Sequence, residues 1–546
     1  MPGLIELPDH IMTMICAQFC LDGGDLVRLE RASRHFHAPR AELRGGVAAS
    51  VPECGAELAV AGREDGWRTT PRANEDWKTM LHVLACLPPP QVVVAKERRT
   101  MVVDRNGGLV VFGTRWPGEL GLGEDTWETR DQYSLDGDFD ADEWDAEPDT
   151  RLVSTLPQLV DWADEKLVSF AGGQTSSLDN GEFACVTGEG HLRQWGYHSG
   201  GWPPRGSCSF PRLQVVPPTV RVAHIASADG HISMLTSLGE LFTWGTGGVG
   251  QLGHGVQDDE GSPRRVEALA GQRVVDTDCG EETTVAVTEA GELFVFGFIV
   301  YRETPSVDYD RRMALLPESV AFPGKAKIRR ASCGCTHFAA AGVDGTMYTW
   351  GQGSDGQLGH PGSGPDLVTG YNSAPLYTSD STRYFEDTPR AVVALAGQHV
   401  ELVCCAEVGR TLAATVEGQL WAWGKGDKGE LGQGQMDSGF CRIRPGRCMM
   451  ADEMAGLESA DQSVRFTALS CGNDHTVVAR ANGEVWTFGS GEYGQLGHPV
   501  SDSNGFEDLE EGEPDWSIVN YGRCLSFPHL LAGVRCRVPL PVVSTV

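Results

Sequence analysis

An aromatic residue followed by glycine recurs seven times along this 546-residue chain: Phe112-Gly113, Trp195-Gly196, Trp244-Gly245, Phe296-Gly297, Trp350-Gly351, Trp423-Gly424 and Phe488-Gly489. Five residues before each aromatic stands another glycine, from Gly107 and Gly190 through Gly239, Gly291, Gly345 and Gly418 to Gly483. Five copies carry Gly-x-Leu-Gly six residues after the aromatic, starting at Gly118, Gly250, Gly356, Gly429 and Gly494. Cys-Gly precedes the aromatic by seventeen residues at Cys279, Cys333 and Cys471. Thirteen residues before it come His231, His337 and His475, with Arg99 and Arg410 in two further copies. A frame this constant requires one supersecondary unit used over and over. It also accounts for the 69 glycines, a share well above the usual ~7%.

One copy, Thr283 to Gly297, shows the physics. A strand carrying Val285 and Val287 runs into a polar turn closed by Gly291, and a second strand follows from Leu293 to Phe296. Glycine supplies the positive φ that tight hairpins need. The glycine after the aromatic has no Cβ and lets a neighbouring backbone come close. A small antiparallel sheet cannot bury its own faces, whereas radial stacking does so and leaves only short edges. The spacing of about 65 residues per copy is too long for a solenoid coil and suits a propeller blade with long loops. The expected fold is mainly β: a seven-bladed β-propeller over residues 91–546.

Cys471-Gly472-Asn473-Asp474-His475-Thr476, running on to Gly494-Gln495-Leu496-Gly497, resembles the regulator of chromosome condensation repeat family, whose fold is a seven-bladed β-propeller. The second copy departs by lacking both Cys-Gly and Gly-x-Leu-Gly, and the fourth lacks Gly-x-Leu-Gly after Phe296. Propellers of this family serve as exchange factors, ubiquitin-ligase components, photoreceptors and scaffolds, so the resemblance specifies fold more than function. Gly66-Trp67-Arg68-Thr69-Thr70 is similar to the signature pentapeptide of the family's plant UV-B photoreceptors, with threonine in place of histidine. It is a single copy lying before the propeller, and the tryptophans of the repeat hold a structural place. Photoreception is not expected.

Before residue 91 no repeat is present. Leu7-Pro8 leads into Ile11, Met14, Ile15 and Phe19, one face of a helix, with proline where a first turn accepts it. Gly23-Gly24 ends that helix, and Leu26, Leu29 and Phe36 point to a second. A third is expected from about Asn74, with Trp77, Leu81, Leu84 and Leu87 on one side, until Pro88-Pro89-Pro90 stops it. Residues 1–40 resemble an F-box, a small α-helical domain, and residues 41–90 then form a linker and third helix. The resemblance implies docking onto the Skp-type adaptor of an SCF ubiquitin ligase through Leu7, Pro8, Ile11, Ile15, Leu26 and Leu29. Cys20 and Gly23-Gly24 depart from the family pattern. A helical cap packed on the propeller, its leucines simply core, is the alternative.

Net charge is −31, which argues against binding a phosphate backbone, so no nucleic acid is expected. No apolar stretch is long enough for a membrane span, and no secretory signal is visible. The 16 cysteines therefore read as reduced thiols, and the expected location is cytoplasmic or nuclear. Residues 124–150 hold 12 carboxylates against Arg130 alone. Within them Asp136, Asp138, Asp140 and Glu147 have calcium-loop spacing, but Ala141 stands where the sharp turn wants glycine and Pro148 follows at once. A solvated acidic loop that receives a basic partner segment fits better. Cys333 and His337, with Cys335 between them, suggest a metal site by residue type, but Cys333 and His337 fall on repeat positions and, like Cys404-Cys405, read as core. No cofactor is indicated.

Expansions follow Gly-x-Leu-Gly in the first, fifth, sixth and seventh copies: 124–150, 361–388, 436–462 and 498–526. Leaving each blade at one structural point, they are expected on one face of the disc, which becomes the partner surface. Its acidic side comprises Asp136, Asp138, Asp140 and Glu147 with Glu507, Asp508, Glu510, Glu511 and Glu513. No phosphate-binding loop, nucleophile elbow or zinc-protease motif is found, so an enzyme is not expected. The reading is a non-catalytic interaction protein: a substrate-recruiting F-box subunit whose propeller binds a protein client. A guanine-nucleotide exchange factor or regulator of a small GTPase, and a scaffold with no ligase link, are the alternatives.

Overall fold

The computed structural model describes residues 92–96, 99–115, 152–160, 166–172, 182–187, 191–196, 208–213, 222–228, 230–303, 309–360, 367–368, 385–434, 441–448, 465–492, 494–497 and 525–535, together with a short strand pair at 41–42 and 48–49. Apart from that pair, the strands form seven antiparallel sheets, the blades of a propeller. Their innermost strands are Val93–Lys96, Leu167–Gly172, Val222–Ala228, Val274–Gly280, Ile328–Cys333, Val400–Ala406 and Phe466–Cys471. From each of these the chain zigzags outward through adjacent strands to a fourth, which is the edge in every blade but the sixth. All seven copies of the repeat form a blade, including the second and fourth, which depart from the motif.

Blade 4 shows why the residues adopt this form. Its second strand, Thr283–Thr288, is buried along its whole length, because other blades cover both its faces. That is why TTVAVT carries no polar-out alternation. The core therefore lies between blades: Val285, Val287, Leu293 and Val295 of blade 4 pack against Ile328, Phe338, Ala340 and Trp350 of blade 5. Trp350 stacks on Phe338 with ring centroids 5.2 Å apart. Gly291 closes the hairpin at φ +81°, its N–H donating to the Thr288 carbonyl at 2.9 Å. Gly351, after the aromatic, sits at φ +99°, where a Cβ would lie 2.6 Å from the Thr336 carbonyl oxygen.

Among the described residues no blade mixes strands from the two ends of the chain. Blade 1 is built from the run 93–160 and blade 7 from the run 466–535. Closure relies on contacts between finished sheets, among them the Ala95 N–H donating to Ser470 Oγ at 2.8 Å.

Within a blade the first and third strands run the same way, so the carboxyl ends of both lie on one rim. The strand ends bounding 116–151, 361–384 and 498–524 are all third-to-fourth connections on this rim. The sixth expansion behaves otherwise. The outer strand Cys441–Arg447 stands inside 436–462, so residues 449–464 leave from the opposite rim. The expectation of a common face holds for the strand ends of three expansions and is corrected for this one, because the strand Cys441–Arg447 lies within it and turns the chain back. Within the fifth expansion, Leu367–Val368 pairs with Cys441 and Arg442 and adds a fifth strand to blade 6. In the fourth copy, pairing continues from Phe298–Met313 to Glu303–Tyr309, past the point where other copies turn at Gly-x-Leu-Gly.

Candidate functional site

The repeat motif builds the joints between blades. Thr284, Thr411 and Thr100 each donate a hydroxyl proton to a carbonyl in the preceding blade's Gly-x-Leu-Gly turn: Gln251 at 2.8 Å, Gln357 at 2.7 Å and Gln495 at 2.7 Å. Each hydroxyl also meets a histidine Nε2 of that blade, from His231 at 2.9 Å, His337 at 3.0 Å and His475 at 2.9 Å. A hydroxyl has one proton, already engaged, so the imidazole Nε2–H must be the donor. Burial holds His231 and His337 down to about 4, so both are neutral at physiological pH.

Arginine takes the histidine's place in two blades. Arg410, wholly buried, lies 3.5 Å from the equally buried Glu430, and its Nη2 donates to the Gly472 carbonyl of blade 7 at 2.8 Å. Glu430 occupies the x of Gly429-Glu430-Leu431-Gly432, where the histidine copies have Gln251, Gln357 and Gln495. The other arginine copy has Glu119 at that place, outside the described residues. Charge thus changes in pairs. Arg99 reaches blade 2 by placing its guanidinium 5.7 Å from the centre of the Phe183 ring.

Nearer the axis runs a second ring of bonds. Asp278 Oδ2 accepts from Ser332 Oγ at 2.7 Å and from the Cys333 N–H at 3.2 Å. Ser332 Oγ in turn accepts the Cys405 N–H at 2.9 Å, and Ser470 Oγ that of Ala95 at 2.8 Å. In each case the residue just before the cysteine position grips the next blade.

These strands enclose a cavity of about 160 Å³ on the propeller axis, lined by residues of all seven blades. At the rim where the long expansions begin, Lys96 Nζ pairs with Glu407 Oε1 at 2.9 Å. Burial disfavours the Lys96 charge, but Glu407 more than offsets this and holds the ammonium above its ordinary range. Deeper in, burial pushes the Asp276 carboxyl up to about 7, although Arg330 lies 3.9 Å away and the Ala331 N–H donates at 2.8 Å. His224 is held down to about 4 by burial and by Arg330. Burial also raises the thiols of Cys279, Cys333 and Cys405. Among the described residues, no group of three His, Cys, Asp or Glu side chains is arranged to hold a metal ion.

All the site residues expected from the sequence lie outside the described residues: Leu7, Pro8, Ile11, Ile15, Leu26 and Leu29, and the acidic set Asp136, Asp138, Asp140, Glu147, Glu507, Asp508, Glu510, Glu511 and Glu513. The pentapeptide 66–70 does too. The axial residues Lys96, Asp276, Asp278, Arg330 and Glu407 were missed. A signal existed for part of this set, since Asp278, Ser332 and Ser470 all stand eighteen residues before their aromatic. Cys404-Cys405 packs as core, as expected: Cys405 is buried and Cys404, half-buried, packs against the cluster between blades 6 and 7, and both also line the cavity.

Comparison with known proteins agrees with the architecture. A family model described as the regulator of chromosome condensation (RCC1) repeat matches residues 239–287, 344–407, 417–479 and 482–509, and a second model of that repeat matches 466–495. The chain carries RCC1 repeats on a seven-bladed β-propeller. Among curated relatives, it is similar to the ultraviolet-B receptor UVR8 of Arabidopsis thaliana, 29% identical over 286 residues, covering 52% of this chain and 57% of the receptor. It is also similar to the E3 ubiquitin-protein ligase HERC2 of Homo sapiens, 26% identical over 412 residues, covering 73% of this chain and 7% of the ligase. The match thus spans less than two thirds of either relative. Among solved structures, human WBSCR16 superposes with a TM-score of 0.54 at 17% identity, over 78% of this chain and 93% of that one. Prp20p of Saccharomyces cerevisiae, described with its binding properties to Gsp1p and histones, gives 0.50 at 18%, over 70% and 80%. These likenesses show the fold alone.

Proposed function

We propose that this chain is a non-catalytic, protein-binding propeller that recruits a client protein for ubiquitin transfer, with residues 1–40 holding a Skp-type adaptor. The observation that carries the binding part is the rim. The Lys96–Glu407 pair lining the axial cavity and the strand ends bounding 116–151, 361–384 and 498–524 share it. Blades 7 and 1, which carry the two acidic expansions, are neighbours across the closing joint. Their carboxylates suit a client segment rich in lysine or arginine. Similarity to a named ubiquitin-protein ligase over 73% of this chain supports the ligase link, and the F-box resemblance of Leu7 to Leu29 supports the adaptor.

A second reading, an exchange factor or regulator for a small GTPase, is favoured by the likeness to Prp20p, whose description names Gsp1p. Co-purification of the tagged full chain separates the two. Retention of a Skp-type adaptor, lost in a Leu7→Asp/Ile11→Asp variant that keeps its thermal transition, supports recruitment. A nucleotide-free GTPase retained by both proteins supports the second reading. Adaptor capture unchanged in the variant defeats the F-box assignment. A partner still bound after deletion of residues 124–150 and 507–513 defeats the assignment of the acidic rim.

A further inference from the structure

The inner strand of blade 6 places Cys404 and Cys405 side by side, and neighbours along a strand face opposite ways. Cys405 serves the joint with blade 5: its N–H and thiol donate to Ser332 Oγ and to the Ser332 carbonyl, at 2.9 and 3.5 Å. Cys404 and Cys471, on the adjoining inner strands of blades 6 and 7, pack against one apolar cluster between those blades. Cys404 and Cys471 are half-buried, whereas Cys279, Cys333 and Cys405 are buried, and all five line the axial cavity. Cys404 also holds the place at which Ser332 and Ser470 bond the next blade's N–H, so this one joint has a thiol where its neighbours have a hydroxyl.

We infer that Cys404 and Cys471 form a reactive dithiol in the axial cavity, one that a small hydroperoxide converts to a disulfide joining blade 6 to blade 7. The Cys404 side chain and the Arg410 guanidinium, whose Nη2 donates to the adjacent Gly472 carbonyl, favour the Cys471 thiolate and bring this thiol below its ordinary range despite burial. Cys471 and burial hold the Cys404 thiol above its own range. The Cys471 thiolate attacks the peroxide; an S–O bond forms, the O–O bond breaks, and hydroxide or alkoxide leaves. Cys404 sulfur then displaces the sulfenic oxygen, the S–S bond forms, and its proton leaves with that oxygen as water. Two electrons pass from the thiol pair to the peroxide. The cavity, lined also by Lys96 and Glu407, is large enough for such an oxidant.

The test treats the reduced full chain with hydrogen peroxide, alkylates the remaining thiols and maps the peptides. A Cys404–Cys471 cross-linked peptide is expected, with a midpoint of thermal unfolding raised by about 5 °C, both reversed by dithiothreitol. Cys404→Ser introduces the residue found at the equivalent places in blades 5 and 7. It should give no cross-link and leave Cys471 as a sulfenic acid that dimedone captures. Both thiols staying alkylatable at peroxide levels that oxidise other cysteines would overturn the inference. So would a cross-link that pairs either with a different cysteine. The map of the unaltered chain decides even if the variant fails to fold.

Discussion

The imidazole of His475 lies 2.9 Å from the hydroxyl of Thr100, joining the last blade to the first across 375 residues of sequence. The His231–Thr284 and His337–Thr411 contacts do the same work at joints the chain also crosses covalently. The closing joint has no such linker between its two sheets.

Thr100→Val should therefore act differently from Thr284→Val. Each strands a buried histidine N–H and a carbonyl, at a cost of about 2 kcal/mol. At Thr100 the loss should appear as local opening, with hydrogen exchange quickened in Val93–Lys96 and Phe466–Cys471 beyond the change in global stability. Equal and uniform exchange in both variants would show that closure is no weaker than the other joints.

Arg410 and Glu430 form a fully buried ion pair in the place that histidine and glutamine fill elsewhere. Glu430→Gln alone leaves an uncompensated buried cation and should cost about 3–5 kcal/mol in chemical denaturation. Adding Arg410→His restores the neutral solution of blades 5 and 7 and should recover most of that loss. A double variant no better than the single one would refute this coupling.

Glycines with similar φ should differ sharply in tolerance. Gly351, at φ +99°, would set a Cβ 2.6 Å from a backbone oxygen, so Gly351→Ala should cost about 3 kcal/mol or more. Gly397, at φ +85°, has open space around the added Cβ, and Gly397→Ala should cost only about 1 kcal/mol. Thermal unfolding of the two variants gives the comparison.

Stability should depend on pH through Asp276. Its carboxyl, raised from 3.8 to about 7 on folding, binds a proton more tightly in the native state. The stability linked to that proton is fully present below pH 3.8 and is lost as pH rises to 7. Asp276→Asn removes this dependence and keeps an oxygen to accept the Ala331 N–H. Relative to the unaltered protein, the variant should gain on the order of 2–3 kcal/mol between pH 5 and pH 8. Parallel stability curves for the two proteins would show that Asp276 does not titrate in this range.

His231 and His337 act with the opposite sign. Held down to about 4, they contribute stability above pH 6.5 that is lost as pH falls towards 4. His337→Gln should accordingly flatten the acid limb of the stability curve, measured by denaturant titration from pH 7 to 4.

Blade number and the place of each aromatic, turn glycine and Gly-x-Leu-Gly were legible in the sequence, because a recurring local unit repeats its steric needs at fixed spacing. Gly291, held at the positive φ expected of the turn, and Gly351, where a Cβ would strike the Thr336 carbonyl, show this. The paired change from histidine and glutamine to arginine and glutamate was written there as well, at Arg410 with Glu430, but needed contacts to be understood. The axial site was not legible. Lys96 and Glu407 are 311 residues apart, and Asp278 and Ser332 belong to different copies. What brings them together is closure of the ring, which sets every inner strand beside the axis. Burial among those strands, rather than any local motif, then determines which thiol stays inert and which acid keeps its proton.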